Sequence, residues 1–235
     1  MRALRHFVLA LGFLTTLPVP GRRAFEEGSL RAAAAYYPLV GWVLGGLLAL
    51  AAWALTPWPD GPAAGVVLAL WLGLTGMLHL DGLLDSADAL LAPRTPEERL
   101  RILRDVHHGT YAFGVGAVFL LLKWQAVLGA TPALLLLAPV AARFWLLPLF
   151  GLFPSARAEG LGAAARPGPW SLGLLFALPA FVWAPLPFVF AGLWAFAAAG
   201  WAARRLGGLT GDVYGAVVET AELAFLLAGW LMGMA

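Results

Sequence analysis

Three aspartates, Asp81, Asp85 and Asp88, close an apolar run in the stretch GMLHLDGLLDSADALL at residues 76–91. An ionised carboxylate at the edge of hydrocarbon is costly unless something compensates it. On a helix these positions are i, i+4 and i+7, which at about 100° per residue stay on one face. Three anions so placed repel one another. A hard divalent cation held by oxygen ligands, Mg²⁺ above all, would remove that repulsion and could be shared with substrate phosphates. A solvated helix end would also use aspartates as caps, but the triple spacing at the mouth of an apolar bundle favours the metal reading.

Other charged residues extend this chemistry. In LRILRDVHHGTY, residues 100–111, Arg104, Asp105, His107 and His108 could form a phosphate-binding edge to the same site, with the Arg104 guanidinium as a fork of donors, or lie on a solvated amphipathic helix. His79 lies two residues before the aspartates and would serve as a ligand or a packing residue. Lys123 and Arg143 fall inside apolar runs, where each calls for a carboxylate or a phosphate; Lys123 could otherwise snorkel. In GGLTGDVYGAVVETAE, residues 207–222, Thr210 and Asp212 could cap a final helix, whereas Glu219 and Glu222 lie too deep within it to be caps. TPEE at 95–98 is a capping box, which assigns Glu97 and Glu98 to structure.

The elements that must position these groups are membrane helices. Of 235 residues 61% are hydrophobic and 12% charged, where soluble domains carry roughly 25% charged residues. Apolar runs at 36–55, 63–80, 111–130, 132–153, 171–184, 186–203 and 213–234 predict an all-α, polytopic transmembrane bundle of about seven spans. Residues 4–19 add a short N-terminal helix, interfacial or partly inserted. Turn chemistry at TPWPDGP 56–62, RPGP 166–169 and APLP 184–187 separates the runs, while Pro179, Pro185 and Pro187 mark either a hairpin or kinked helices. No stretch is left for a soluble domain, so residues 1–235 form one integral domain. GxxxG at Gly41 and Gly45 suits close helix packing.

Loops 20–31, 81–110, 154–170 and 204–212 hold eleven Arg, whereas those at 56–62, 131–132 and 184–187 hold none. This bias puts the basic loops, and with them five of the six Asp, on the cytoplasmic side of the inner membrane. The net charge of +2 arises from these loop arginines, so no nucleic-acid partner is expected. The absence of Cys excludes disulfides and thiolate chemistry.

The motifs FLTTLPVP 13–20, YYPLVGWVLGG 36–46, HLDGLLDSADAL 79–90, LRDVHHGTYA 103–112 and GGLTGDVYGAVVETAE 207–222 resemble those of the cobalamin synthase family, the adenosylcobinamide-GDP ribazoletransferases. The resemblance implies a membrane enzyme that joins adenosylcobinamide-GDP to α-ribazole or its 5′-phosphate, giving the cobalamin or its 5′-phosphate and GMP, with Mg²⁺ as the ion. It carries over Asp81, Asp85 and Asp88, Asp105 and Gly109, and Thr210, Asp212, Glu219 and Glu222. Ala89 and the Val106-His107 pair depart from the family pattern, the latter where Ser-Arg is common; His107 or Arg104 could substitute for that arginine. The partners implied are the two substrates and the lipid bilayer, and a homo-oligomer is compatible with the sequence.

Phosphoryl transfer asks for a metal, cations that grip a pyrophosphate and a carboxylate that orients or deprotonates the attacking hydroxyl. The aspartates supply metal ligands, Arg104, Lys123 or Arg143 the cation, and Asp212 or one of the three clustered aspartates the base, with all groups expected in one cavity. A CDP-alcohol phosphotransferase or a prenyltransferase would carry DGxxAR-type or paired NDxxD motifs, which are absent. A divalent-cation transporter would spread carboxylates along a pathway on both sides of the midplane.

Overall fold

A computed structural model describes residues 2–20, 27–157 and 170–234. The RPGP turn expected at 166–169 and the arginines Arg22 and Arg23 lie outside the described residues. Among these residues eleven α-helices follow in order: α1 Arg2–Leu14, α2 Glu27–Ala33, α3 Tyr37–Ala54, α4 Asp60–Thr75, α5 Leu78–Leu91, α6 Pro96–Ile102, α7 Thr110–Leu128, α8 Pro132–Leu152, α9 Trp170–Trp183, α10 Pro185–Leu206 and α11 Gly211–Leu231. A 3₁₀ turn at Ala34–Tyr36 joins α2 to α3. Among the described residues there is no strand, only one isolated bridge between Ser155 and Leu209.

Among the described residues five segments are long and apolar enough to cross a membrane: Leu30–Ala54, Thr110–Leu128, Pro132–Leu152, Pro185–Leu206 and Gly211–Leu231. Against the seven spans expected, the described residues hold five such candidates, or six if α4 and α5 count as one broken span bent by 88°. The run expected to continue from 63 to 80 breaks because Gly76 (φ 59°) and Met77 (φ 57°) both adopt left-handed backbone conformations. Fourteen-residue α9 is too short to span alone. Pro185 and Pro187 open α10 at the N-terminal turn, where a missing N–H costs nothing, and Pro179 lies inside α9. The expected N-terminal helix is α1, with Leu9, Ala10 and Leu14 buried.

Helices α8 and α11 form the centre, since most of each is buried, while α7 and α10 keep apolar outer faces such as Leu121 and Leu193 exposed. Helix α3 reaches α8 at backbone distance through its small residues: a Cβ on Gly41 would stand 2.6 Å from the Val140 Cα, and one on Gly45 would collide with the Leu136 carbonyl. In lipid, where water does not drive helices together, such close packing is a main source of association. The capping box forms as expected, with the Glu98 amide donating to the Thr95 hydroxyl and the Thr95 amide to the Glu98 carboxylate. That amide holds the Glu98 carboxyl below its ordinary range.

Candidate active site at one end of the bundle

Helix α5 carries its three aspartates on one face, as the spacing requires, and brings them to the start of α11. The crossing is tight because both helices offer glycine: a Cβ on Gly82 would strike the Asp212 carbonyl, and one on Gly215 would stand 3.3 Å from the His79 Cα. The two acidic motifs, more than a hundred residues apart in sequence, thus share one end of the bundle. The loop before α7 adds His108, whose Nδ1 lies 3.5 Å from Asp85 Oδ1 and whose Nε2 lies 3.8 Å from Asp81 Oδ1. One ligand atom from each of Asp81, Asp85 and His108 falls within 4.8 Å of the others, close enough to share one cation. The Asp85 side chain is only 17% exposed against 64% for Asp81, so Asp85 most needs a partner charge.

Asp88 departs from the expected three-aspartate ligand set. Its Oδ2 accepts from the Gly109 amide at 2.5 Å and its Oδ1 from the Ala112 amide at 3.0 Å, so this carboxylate caps α7 from a neighbouring helix. The first amides of a helix lack intrahelical acceptors and carry the positive end of its dipole, which draws the carboxylate to them. Gly109 leaves room for this contact, since a Cβ would stand 2.8 Å from Asp88 Oδ1 and push the carboxylate aside. Asp88→Ala is expected to lower thermal stability in detergent by about 1–2 kcal/mol, as loss of a helix cap does; an unchanged melting temperature would remove the capping role.

On the far side of Asp212 stands Arg157, its Nη1 3.6 Å from Asp212 Oδ2 and its Nη2 donating to the Leu103 carbonyl. The Arg157 Nε is buried and has no hydrogen-bond partner among the described residues. The segment is pinned by a two-bond exchange, Ala156 N to Leu209 O and Leu209 N to Pro154 O, each 2.9 Å. Thr210 caps α11 by accepting from the Val213 amide, and its hydroxyl lies 3.3 Å from Asp212 Oδ2.

The remaining deep charges form a second, separate cluster. Lys123 Nζ lies 2.5 Å from Glu219 Oε2 and 2.8 Å from Glu222 Oε2, and Arg143 Nη1 lies 2.7 Å from Glu222 Oε1. All four residues are fully buried, and the ammonium also sits 4.3 Å from the Trp71 ring centroid. His79, buried on α5, is within electrostatic range of this network. Two cations and two carboxylates balance, joining α7, α8 and α11.

The model of the family described as cobalamin-5-phosphate synthase matches residues 6–230. This chain belongs to that family. A relative from Deinococcus radiodurans is 49% identical over 227 residues, covering 94% of this chain and 84% of the relative. One from Desulfitobacterium hafniense is 39% identical over 249 residues, covering 98% of each. One from Pseudomonas aeruginosa PAO1 is 43% identical over 242 residues, covering 96% of this chain and 98% of the relative. Each relative is named adenosylcobinamide-GDP ribazoletransferase. No solved structure matches. The chain is accordingly an enzyme, a transferase.

Against this family's motifs the structure sorts the expected site residues. It gathers Asp81, Asp85, Asp212 and Thr210 at one end, turns Asp88 to α7, and gives Lys123, Arg143, Glu219 and Glu222 to one another. Of the single cavity expected to hold all of them, the structure brings the Asp81 and Asp212 motifs together, while the second set pairs within itself deeper in the bundle and leaves Arg143 Nε and Nη2 and Glu219 Oε1 without hydrogen-bond partners among the described residues. His107, expected at the site, instead pairs with Asp105 at 2.8 Å on an exposed loop, and this hydrogen bond holds the Asp105 carboxyl below its ordinary range. Arg104 is exposed. Of the two adjacent histidines in the expected phosphate-binding edge it is His108 that stands by the aspartates, a choice that no periodicity could make in a non-helical turn. Arg157 was not assigned from the sequence and left no signal there, since a long-range bridge locates it.

Proposed function

We propose that this chain catalyses transfer of the cobinamide phosphate of adenosylcobinamide-GDP to a ribose hydroxyl of α-ribazole or its 5′-phosphate, releasing GMP, with Mg²⁺ as the ion. Attack by the hydroxyl oxygen forms a new P–O bond to the corrinoid phosphate while the pyrophosphate P–O bond breaks, GMP carrying away that bridging oxygen and the hydroxyl proton passing to a carboxylate. The observation that carries this reading is the convergence of Asp81, Asp85 and His108 beside the Arg157 and Asp212 pair.

The donor set fits the ion: Mg²⁺ commonly takes one or two carboxylates and leaves its other positions to water and substrate phosphate, which Asp81 and Asp85 allow. When bound there it would neutralise pyrophosphate charge. His108, a softer nitrogen donor, is better suited to hydrogen-bond a carboxylate or a phosphate oxygen. Arg157, whose side chain is partly exposed beside Asp212, offers its guanidinium to the same phosphates. With Asp88 engaged by α7, Asp212 is the carboxylate left to accept the proton, and Thr210 and Arg157 orient it. Family membership does not favour a CDP-alcohol phosphotransferase, a prenyltransferase or a cation transporter.

The deciding assay supplies GDP-cobinamide, α-ribazole and Mg²⁺ to protein in liposomes and follows GMP; no GMP above protein-free liposomes would sink the reading. Arg157→Ala should lower kcat/KM for the GDP-activated substrate by roughly 10–100-fold, the worth of a charged hydrogen bond, with partial recovery in Arg157→Lys. Equal activity in Arg157→Ala would remove it from phosphate binding.

The site faces the cytoplasm from the inner membrane, following the arginine bias. In this cysteine-free chain an impermeant thiol reagent applied to intact cells should label Trp58→Cys and spare Glu97→Cys. The reverse pattern would invert the topology.

A further inference from the structure

Behind α5, on the side away from its aspartates, lies a cavity of about 490 Å³ between α5, α7, α10 and α11. Leu83, Ser86, Ala87 and Leu90 line it from α5. At about 100° per residue their mean direction is roughly opposite to that of Asp81, Asp85 and Asp88. The body of α5 therefore separates the cavity from the reacting groups, so its occupant is not the transferred phosphate or its acceptor hydroxyl. Trp194 and Trp201, two turns apart on α10, form the opposite wall. Trp194 is also 47% exposed on the apolar outer face of that span, so the cavity is a groove open to the bilayer.

Two features distinguish the groove from an ordinary gap between helices. Ser86 is one of its lining residues, and its hydroxyl, buried just behind the wall, has no hydrogen-bond partner among the described residues, so a turn about its side-chain bond would present it to an occupant. The rim is basic: Arg205 stacks 4.7 Å from the Trp201 ring and donates to the Leu90 carbonyl, which also accepts from Arg99. Apolar walls, one buried hydroxyl donor and guanidinium groups at the lip match, in order, an acyl chain, an ester carbonyl and a phosphate. We propose that the groove binds an anionic phospholipid from the adjoining leaflet, its acyl chain against Trp194 and Trp201, its ester carbonyl accepting from Ser86 and its phosphate pairing with Arg205. The bound chain braces the rear of the helix whose front carries Asp81 and Asp85.

The test uses the full chain, delipidated in detergent and exchanged with mixed micelles of phosphatidylcholine and phosphatidylglycerol, with retained lipid read by native mass spectrometry. The parent should retain phosphatidylglycerol selectively. Ala198→Leu and Ala216→Leu fill the groove from α10 and α11 and should each lose it, whereas Leu121→Ala, on the outer face of α7, should keep it. Arg205→Gln should weaken phosphatidylglycerol retention roughly fivefold to tenfold, the worth of one arginine near an anionic headgroup. Retention unchanged in a folded groove-filling variant, or equal retention of both lipids by the parent, overturns the proposal. These readouts do not involve turnover, so they stand apart from the ribazole-transfer reading.

Discussion

Replacing Asp81 or Asp85 by Asn is expected to lower turnover by about 10²–10³-fold, the cost of removing one group that stabilises developing charge in a preorganised site. The amide is close to isosteric and leaves the packing of α5 on α11 unchanged, so folding and membrane insertion should survive. The loss should be larger for Asp85, which is the more enclosed of the two and faces His108 at 3.5 Å. Raising Mg²⁺ should recover part of the activity of each variant, because a weakened ligand set needs more ion to fill. Asp60→Asn, at the other end of the chain's first long hairpin and in its Arg-free turn, should be silent. Near-parental kcat in both Asp81→Asn and Asp85→Asn would remove the metal from this end of the bundle.

The reason these two aspartates were legible in the sequence is local. Spacing i, i+4 sets a shared helix face without reference to any other part of the chain, and α5 is a helix. The capping box at Thr95 and the glycine contact of α3 with α8 were legible for the same reason, each being a short pattern with one physical use. Asp88 shows where that logic ends. It has the right spacing, but the exposed amides at the start of α7 compete for its carboxylate, and nothing near Asp88 in sequence announces them.

The span count was less legible for a related reason. Hydropathy sees that residues 63–80 are apolar, but the break at Gly76 and Met77 is a matter of backbone sign, and Met gives no warning of a left-handed conformation. That break turns α5 by 88° from α4, and α5 crosses α11 where Gly82 meets Asp212.

The buried network offers the second large effect. Lys123, with a side chain 0% exposed, holds Glu219 and Glu222 together, and Arg143 holds Glu222 from the other side. Removing one partner of a buried pair leaves the other charge uncompensated where water cannot reach it, which costs about 3–5 kcal/mol. Lys123→Met is therefore expected to destabilise the protein by that amount in a thermal or denaturant melt, the Met side chain filling most of the same space. The network reaches the candidate site through α11, whose first turn bears Asp212 while Glu219 and Glu222 lie two to three turns further along. Turnover should fall with stability, yet KM for Mg²⁺ should stay near the parental value, since none of these residues converges with Asp81 and Asp85. Pairing the change with Glu219→Gln removes one charge of each sign and should return part of the loss, a coupling of about 0.5–3 kcal/mol. A Lys123→Met protein within about 0.5 kcal/mol of the parent would show that the network carries no such weight. A selective rise in KM for the GDP-activated substrate, with stability intact, would instead return Lys123 to the phosphate-binding role that its position in the sequence suggested.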